Sequence, residues 1–374
     1  MMENTAIPTY KLTIYFFLML VLSLNLCGCS SHFTTLQNTQ TTYDYTLASE
    51  ITTTNFHFGH SGLFAPLVTN SIPDNNMYPL FFAINGMSTY MINQNVYFQS
   101  NGIIYEATPN SNQDSWATTS LGIENICDLI SDGTYLYCLT TDDKGIIYDP
   151  ASHTVLCNIS LKNALNTNNV FIELNCVGNE KAYFSAYDST NAEQTHVIFT
   201  IDHGGQFEIL KTSDKTHFIK PIYSDAEYFV YVSYSPDNTD TNVYVENLKS
   251  GSTNQICDQY ILNMDDRNAP FYRWNDSFVF LINGKGICIT DTDGSNTRIY
   301  TGDTSHGYAL YENKMYFAGW QVVSVDLING EQETLKFGDE DDFIGNINIC
   351  DGNILLSRKE ASSEFYTVHV IPLP

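Results

Sequence analysis

Positive charge is scarce in this chain of 374 residues. Lysine and arginine together number 16, against 42 aspartate and glutamate residues, so the formal net charge is −26 and the isoelectric point is near 4.4. A surface with this charge repels nucleic acid and other polyanions. We therefore expect no nucleic-acid partner.

Recognisable catalytic and cofactor motifs are also missing. The sequence has no Gly-x-Ser-x-Gly elbow, no His-Glu-x-x-His pair, no phosphate-cradling glycine loop and no Cys-x-x-Cys pair. These motifs indicate a nucleophilic serine, a zinc centre, a nucleotide site and a structural zinc site, respectively. We predict no catalytic residue, no metal site and no cofactor, although an enzyme that assembles its acids and bases from separate loops would show no such motif.

The longest apolar stretch, residues 12–26, follows Lys11 and is short for a membrane span, which needs about 20 apolar residues. It ends in Leu26-Cys27-Gly28-Cys29, which resembles the lipobox of bacterial lipoproteins: an apolar residue, two small residues and a cysteine. The resemblance implies removal of residues 1–28 as a signal peptide and attachment of diacylglycerol to Cys29. Disulfide or metal use of the two cysteines, or an uncleaved helical anchor, stays open.

The following segment, residues 29–54, is rich in serine, threonine, asparagine and glutamine. It has too few large apolar side chains to offset its ordering entropy, so we predict a flexible tether. Residues 55–374 would then form a folded body. The predicted location is the bacterial cell membrane, with the body lipid-anchored and facing outside the cytoplasm.

Internal repetition decides the expected fold of the body. A polar turn followed by a short aromatic strand recurs seven times, at intervals of roughly 37 to 50 residues, which is close to the spacing of propeller blades. The copies read NQNVYF, DGTYLY, NEKAYF, DAEYFVY, NDSFVF, ENKMYF and DGNILL. The prediction is an all-β propeller of four-stranded antiparallel blades, most simply seven, with six or eight left open.

The strand at residues 134–139 shows why blades must stack. Tyr135, Tyr137 and Leu139 face one side of this strand, whereas Leu136 and Cys138 face the other. Because both faces are apolar, each needs a neighbouring sheet to cover it. The last repeat lacks an outer strand of its own, so we also expect the ring to close by pairing of the two terminal segments.

The stretch ITDTDGSNTRIY, residues 289–300, resembles the hairpin of low-density-lipoprotein-receptor (YWTD-type) propellers. The combination with a lipobox is similar to bacterial lipoproteins that carry a β-propeller domain of unknown function. The resemblance spans most of residues 80–374 but is loose in each repeat, and the YWTD tetrapeptide itself is absent. It implies a propeller fold and carries no ligand with it.

Several residue groups have both a structural and a functional interpretation. Cys127 and Cys138 would lie opposite each other, as a possible disulfide, if Asp132-Gly133 forms a two-residue turn. Carboxylates of GDEDD (338–342) and DTDGSN (291–296) could hold calcium weakly, or could simply be solvated turn residues.

The tryptophans and two of the histidines can likewise be interpreted as functional or as structural residues. The tryptophans, Trp116, Trp274 and Trp320, could form a sugar-stacking platform, but filling of gaps between blades is favoured. His57 and His60 have a spacing that turns them to opposite faces of a strand, which argues against a shared metal.

Two functions are compatible with these observations. The first is a surface-displayed binding or interaction scaffold for an unknown protein, peptide or glycan, and the second is an extracellular propeller enzyme such as a glycan hydrolase or lyase. The scaffold is preferred, because an anchor, a tether and a propeller without motifs require no chemistry. The loop YSPDNTDTN, from Tyr234, is a candidate for recognition. Ligand identity and oligomeric state do not follow from the sequence.

Overall fold

The protein is described from a computed structural model. It describes residues 34–35, 45–46, 54–57, 89–100, 102–109, 116–167, 169–188, 196–213, 216–235, 241–258, 271–282, 286–300, 307–318, 322–336, 343–350, 353–359 and 366–372. Residues 1–28 and Cys29, including the lipobox residues Leu26, Cys27 and Gly28, lie outside these ranges, as do residues 338–342, His60 and Trp320.

Three short strands precede the repeats: β1 (Thr34–Thr35), β2 (Tyr45–Thr46) and β3 (Thr54–His57). The repeats then form sheets of consecutive strands. Sheet 1 contains β4 (Thr89–Ile92), β5 (Asn95–Ser100), β6 (Ile103–Pro109) and β7 (Trp116–Ser120), and sheet 2 contains β8 (Ile126–Ser131), β9 (Leu136–Thr140), β10 (Lys144–Asp149) and β11 (Thr154–Ser160). A short helix, α1 (Leu161–Leu165), leads into the next sheet.

Sheet 3 contains β12 (Val170–Gly178), β13 (Lys181–Asp188), β14 (His196–Asp202) and β15 (Phe207–Thr212). Sheet 4 contains β16 (Phe218–Ser224), β17 (Tyr228–Tyr234), β18 (Thr241–Asn247) and β19 (Thr253–Cys257). Sheet 5 contains β20 (Phe271–Trp274), β21 (Ser277–Ile282), β22 (Gly286–Asp291) and β23 (Arg298–Tyr300), with β1 added parallel to β23.

Sheet 6 contains β24 (Gly307–Tyr311), β25 (Lys314–Ala318), β26 (Val322–Asp326) and β27 (Gln332–Lys336), with β2 added parallel to β27. The last sheet contains β28 (Phe343–Cys350), β29 (Asn353–Lys359) and β30 (Tyr366–Pro372), and its fourth strand is β3, antiparallel to β30.

The architecture is therefore an all-β propeller with four-stranded antiparallel blades, as predicted. Six blades each take four consecutive strands from the chain, and two of them carry β1 or β2 as a fifth strand; this is one blade fewer than the seven predicted. The difference arises in the last repeat, which contributes three strands to its sheet, while β3 comes from the other side of the repeats.

The core lies between the sheets. Tyr137 and Leu139 belong to the apolar cluster that joins sheet 2 to sheet 3, whereas Leu136 and Cys138 belong to the cluster that joins sheet 2 to sheet 1. The alternation predicted for this strand is confirmed, and similar clusters link the later sheets in chain order.

The last sheet also contacts the first one. The Asn348 amide on β28 donates to the Thr89 carbonyl oxygen on β4 at 2.9 Å. First strands such as β8, β12 and β16 lie side by side near the axis of the ring, whereas fourth strands such as β11 and β15 are largely exposed.

Alternating strand direction gives the propeller two different faces. On one face, which we call the turn face, first and second strands are joined by short turns such as residues 179–180 and 275–276. The opposite face, which we call the loop face, carries the connections between second and third strands and between sheets. The described strand ends of sheets 3 and 4 that border this face are separated in sequence by residues 161–169, 189–195, 235–240 and 258–270.

Among the residues that the structure describes, no helix has the length and apolarity needed to cross a bilayer.

Candidate functional site

The loop face between sheets 3 and 4 brings five rings into one line, which we call the aromatic row: Phe171, Tyr187, His196, Phe218 and Tyr234. Ring centroids lie 5.2, 5.0, 3.9 and 5.4 Å apart along this order. The row starts at Phe171, whose side chain is 42% exposed, and reaches the end of β17 at Tyr234. Such ring pairs stabilise their neighbours beyond simple area burial and form a rigid surface.

Charged and polar side chains lie next to the row in positions where strands usually bury apolar residues. The Lys220 ammonium on β16 lies 3.4 Å from a Glu173 carboxylate oxygen on β12, and the Lys220 side chain is only 8% exposed. The Asn175 amide nitrogen lies at 3.4 Å from the same oxygen of Glu173. Pairing with Glu173 offsets the cost of burying the Lys220 charge.

Two buried polar atoms in this region have no hydrogen-bond partner among the described residues: Oδ1 of Asn175 and Nε2 of His196. Burial lowers the pKa of His196 to about 4, although the Glu173 carboxylate opposes the shift. The imidazole is consequently neutral near pH 7. Orphaned buried polar atoms are uncommon in folded proteins, so they mark this region as specialised.

A groove opens beside the row, between the end of β15 and one face of sheet 4, with a volume of about 610 Å³. Five hydroxyl-bearing side chains line it: Thr212, Ser213, Tyr231, Ser233 and Tyr244. The strand register explains part of this set, because Tyr231 pairs with Tyr244 and Ser233 pairs with Asn242 across β17 and β18. Residues that are paired directly in this way project from the same face of a sheet.

The charge of the groove is locally balanced. Lys211, at the end of β15, lies 2.6 Å from a Glu246 carboxylate oxygen and 4.8 Å from the centre of the Tyr231 ring. Tyr231 and Tyr244 stack with centroids 5.3 Å apart. The groove thus presents two aromatic rings and several neutral hydrogen-bonding groups.

The turn face is organised differently. Arg273 on β20 donates to Asp225 at 2.8 Å and to Glu227 at 2.6 Å, and so connects sheet 5 to the first turn of sheet 4. The pKa of Asp225 is lower than that of a free aspartate. Burial alone would raise this pKa, but the hydrogen bond from Arg273 and the hydrogen bonds within the turn outweigh the effect of burial. Every polar contact described here joins parts of the protein to one another, which indicates a structural role.

The acidic turn DTDGSN is also structural. An Asp293 carboxylate oxygen accepts from the Ser295 backbone amide at 2.9 Å, and Asp291 accepts from the Asn296 side chain at 2.6 Å. Gly294 occupies the left-handed region with φ of +85°, as tight hairpin turns require. Across the described part of the chain, no three histidine, cysteine or acidic side chains come together as a metal group.

The expected opposition of Cys127 and Cys138 is wrong. The turn is longer than two residues, since Ser131 pairs with Leu136, and β8 bulges at Cys127. Cys138 therefore pairs with Leu129, while the Cys127 thiol donates to the Leu139 carbonyl oxygen at 3.3 Å, and both side chains remain thiols. Burial raises the pKa of Cys138.

Of the predicted aromatic and histidine sites, Trp274 is described in most detail. Its Nε1 donates to Asn313 of sheet 6 at 3.2 Å, so it fills a gap between blades, as favoured. His57 lies at the end of β3. The aromatic row and the groove were missed by sequence reasoning. Glu173 and Lys220, each inside a mostly apolar strand, were the available signal.

Comparison with known proteins shows the fold alone. No protein-family model and no curated protein matches the chain. A chain from a study of two prolyl endopeptidases superposes with a TM-score of 0.55 at 12% identity, over 80% of this chain and 51% of that one. The β-propeller domain of Myceliophteria thermophila Cps50 (Swd1) gives 0.51 at 12% identity, over 82% and 100%.

BamB from Moraxella catarrhalis is a third structure similar to this one, with a TM-score of 0.46, 10% identity and coverage of 76% of this chain and 96% of that chain. The β-propeller assignment follows from the sheets described above, together with the two higher scores. Nothing about ligands or activity is transferred at these identities.

Proposed function

We propose that this protein is a binding scaffold, whose recognition surface is the loop face of sheets 3 and 4. The observation that carries the proposal is the convergence of the aromatic row and the groove on that face. Loops and exposed rings on a rigid scaffold are typical of recognition surfaces. The unknown ligand is a protein, a peptide or a glycan.

The proposal includes the predicted location. Cys29 would carry the lipid, and the segment 29–54 would hold the propeller away from a bacterial membrane on the side facing away from the cytoplasm. Two acyl chains suffice for stable anchoring, at about 0.8 kcal/mol for each buried CH₂. The similarity to YWTD-type propellers and to propeller lipoproteins belongs to this proposal as well. The net charge of −26 is favourable for solubility of a displayed domain.

We further propose that the last sheet closes the ring by pairing the two terminal segments of the body. The pairing of β3 with β30 and the contact between Asn348 and Thr89 support this closure. A closed ring protects sheet edges that would otherwise pair with other chains.

A glycan hydrolase or lyase would need acid and base groups close to its substrate. Among the described residues that line the groove there is no carboxylate. No observation made here favours that second function.

The test is a screen of the purified full-length protein against peptides and oligosaccharides, with binding and product release measured in the same samples. Saturable binding without product supports the scaffold. Cleavage of any panel member, with or without added metal, contradicts it.

A further inference from the structure

We propose that the groove between β15 and sheet 4 binds a neutral saccharide. This inference rests on the proposed binding function and specifies its ligand class. The volume of about 610 Å³ lies within the range of small-ligand sites, which is about 300 to 1,000 Å³.

The hydrogen-bonding groups of the groove determine the ligand class. Each hydroxyl of Thr212, Ser213, Tyr231, Ser233 and Tyr244 can donate and accept hydrogen bonds. A saccharide carries many hydroxyl groups with the same dual capacity. The Ser213 hydroxyl already accepts from the His196 backbone amide at 3.0 Å and keeps its own proton for a ligand. A lining of this kind can therefore exchange hydrogen bonds with a sugar along its whole edge, whereas an apolar ligand would cover these hydroxyls without offering them hydrogen bonds.

The charges of the groove favour a neutral ligand over an anionic one. Lys211 is the cation of the lining, and its ammonium group is already 2.6 Å from Glu246. An anionic ligand would have to compete with Glu246 for that ammonium group, against a protein of net charge −26. A neutral sugar can bind without displacing the ion pair.

The two stacked tyrosines supply an aromatic surface for the apolar face of a sugar ring. Sugar rings have apolar C–H faces and polar edges, so they bind well where an aromatic surface lies beside hydrogen-bonding groups. Tyr231 and Tyr244, stacked with centroids 5.3 Å apart, provide that surface next to Ser233 and Asn242. A peptide has no comparable need for a lining so rich in hydroxyls.

The experiment uses full-length protein and a panel of neutral trisaccharides, with anionic oligosaccharides and peptides as comparison ligands. Binding is measured by titration calorimetry at low and high salt. We expect saturable binding of at least one neutral trisaccharide, with an affinity that changes less than about twofold with salt, because no charge is neutralised.

Variants locate the binding in the groove. The double variant Tyr231→Phe with Ser233→Ala removes two hydroxyls but keeps both rings stacked, and should weaken binding at least about tenfold. The matched control is Tyr105→Phe on β6, a half-buried tyrosine stacked on Phe98, which should bind like the original protein. Melting temperatures of both variants confirm that they fold.

The outcomes separate the two proposals. Absence of binding to every neutral trisaccharide, equal binding by the double variant, or salt-dependent binding of anionic sugars alone would each overturn the saccharide assignment. Binding of a peptide but of no sugar would overturn it and leave the scaffold function standing. A sugar that is bound in the groove and then cleaved would overturn the scaffold function alone.

Discussion

The His196 ring stacks on the Phe218 ring with centroids 3.9 Å apart, across the boundary between sheets 3 and 4. His196 is only 4% exposed, and the pair lies in the middle of the aromatic row. A buried titratable ring in the middle of the row connects the packing of two blades to pH.

Protonation of the His196 ring should lower the stability of the folded protein in acid. Its pKa is about 4 in the folded protein, against 6.5 for the free side chain, so the unfolded chain binds more protons between these values. Stability is therefore lost as pH falls from 6.5 to 4, by about 3 kcal/mol. The variant His196→Phe should not lose this stability between pH 7 and pH 4. The free energy of unfolding is measured with urea at both pH values.

Phe218→Leu is the control for this measurement. It weakens the stack but leaves the titratable ring, so it should lower stability similarly at both pH values. If His196→Phe retains the full pH dependence of the original protein, the buried neutral imidazole is not its source.

Gly178 should tolerate no side chain. A Cβ built at this residue lies 1.9 Å from the Ser224 carbonyl oxygen, where the ends of β12 and β16 approach each other. Gly178→Ala must therefore push two blades apart, and we expect a loss of about 2–3 kcal/mol in unfolding free energy. Gly204→Ala should cost far less, because its nearest neighbour is the Asp202 side chain at 3.3 Å. Equal costs would contradict the close contact between blades.

The closing strand can be tested by local replacement. Changing Thr54–His57 to a glycine-serine segment removes the strand that pairs with β30 and should lower stability by about 2–4 kcal/mol through lost ladder hydrogen bonds and burial. The same change at Thr34–Thr35, which forms the two-residue strand beside β23, is the control and should have little effect. Similar melting temperatures for the two variants would argue against closure by β3.

The lipid anchor predicts a sharp difference between two neighbouring cysteines. Cys29→Ala should abolish labelling with a radioactive fatty acid in a bacterial host and release the protein from the membrane fraction or leave its signal peptide uncleaved. Cys27→Ala should be labelled normally, since a small residue at this position satisfies the same site. Labelled Cys29→Ala protein would refute the lipobox assignment.

The fold was largely predictable, because blade strands have a strong local signature. Tyr137 and Leu136 alternate between two apolar faces, and a strand of this kind needs a sheet on each side. The aromatic row was not predictable in the same way. Tyr187, His196 and Phe218 come from three different strands, and only the assembled ring brings them together.

Small irregularities in the strands were also invisible in the sequence. The turn between β8 and β9 spans four residues, which places Cys138 opposite Leu129, and the bulge at Cys127 leaves that residue without a paired partner in the ladder. A bulge depends on how neighbouring strands fit together, so a pattern with a period of two residues gives no sign of it. The groove between β15 and sheet 4 is hidden for a similar reason, since it lies between elements from two repeats.

The most direct test of the account is hydrogen exchange of the full-length protein with and without a ligand from the binding screen. The account predicts protection on the loop face of sheets 3 and 4, at the end of β15, the start of β16 and the adjoining parts of β17 and β18. Protection confined to the turn face, for example at residues 179–180 and 275–276, would contradict it.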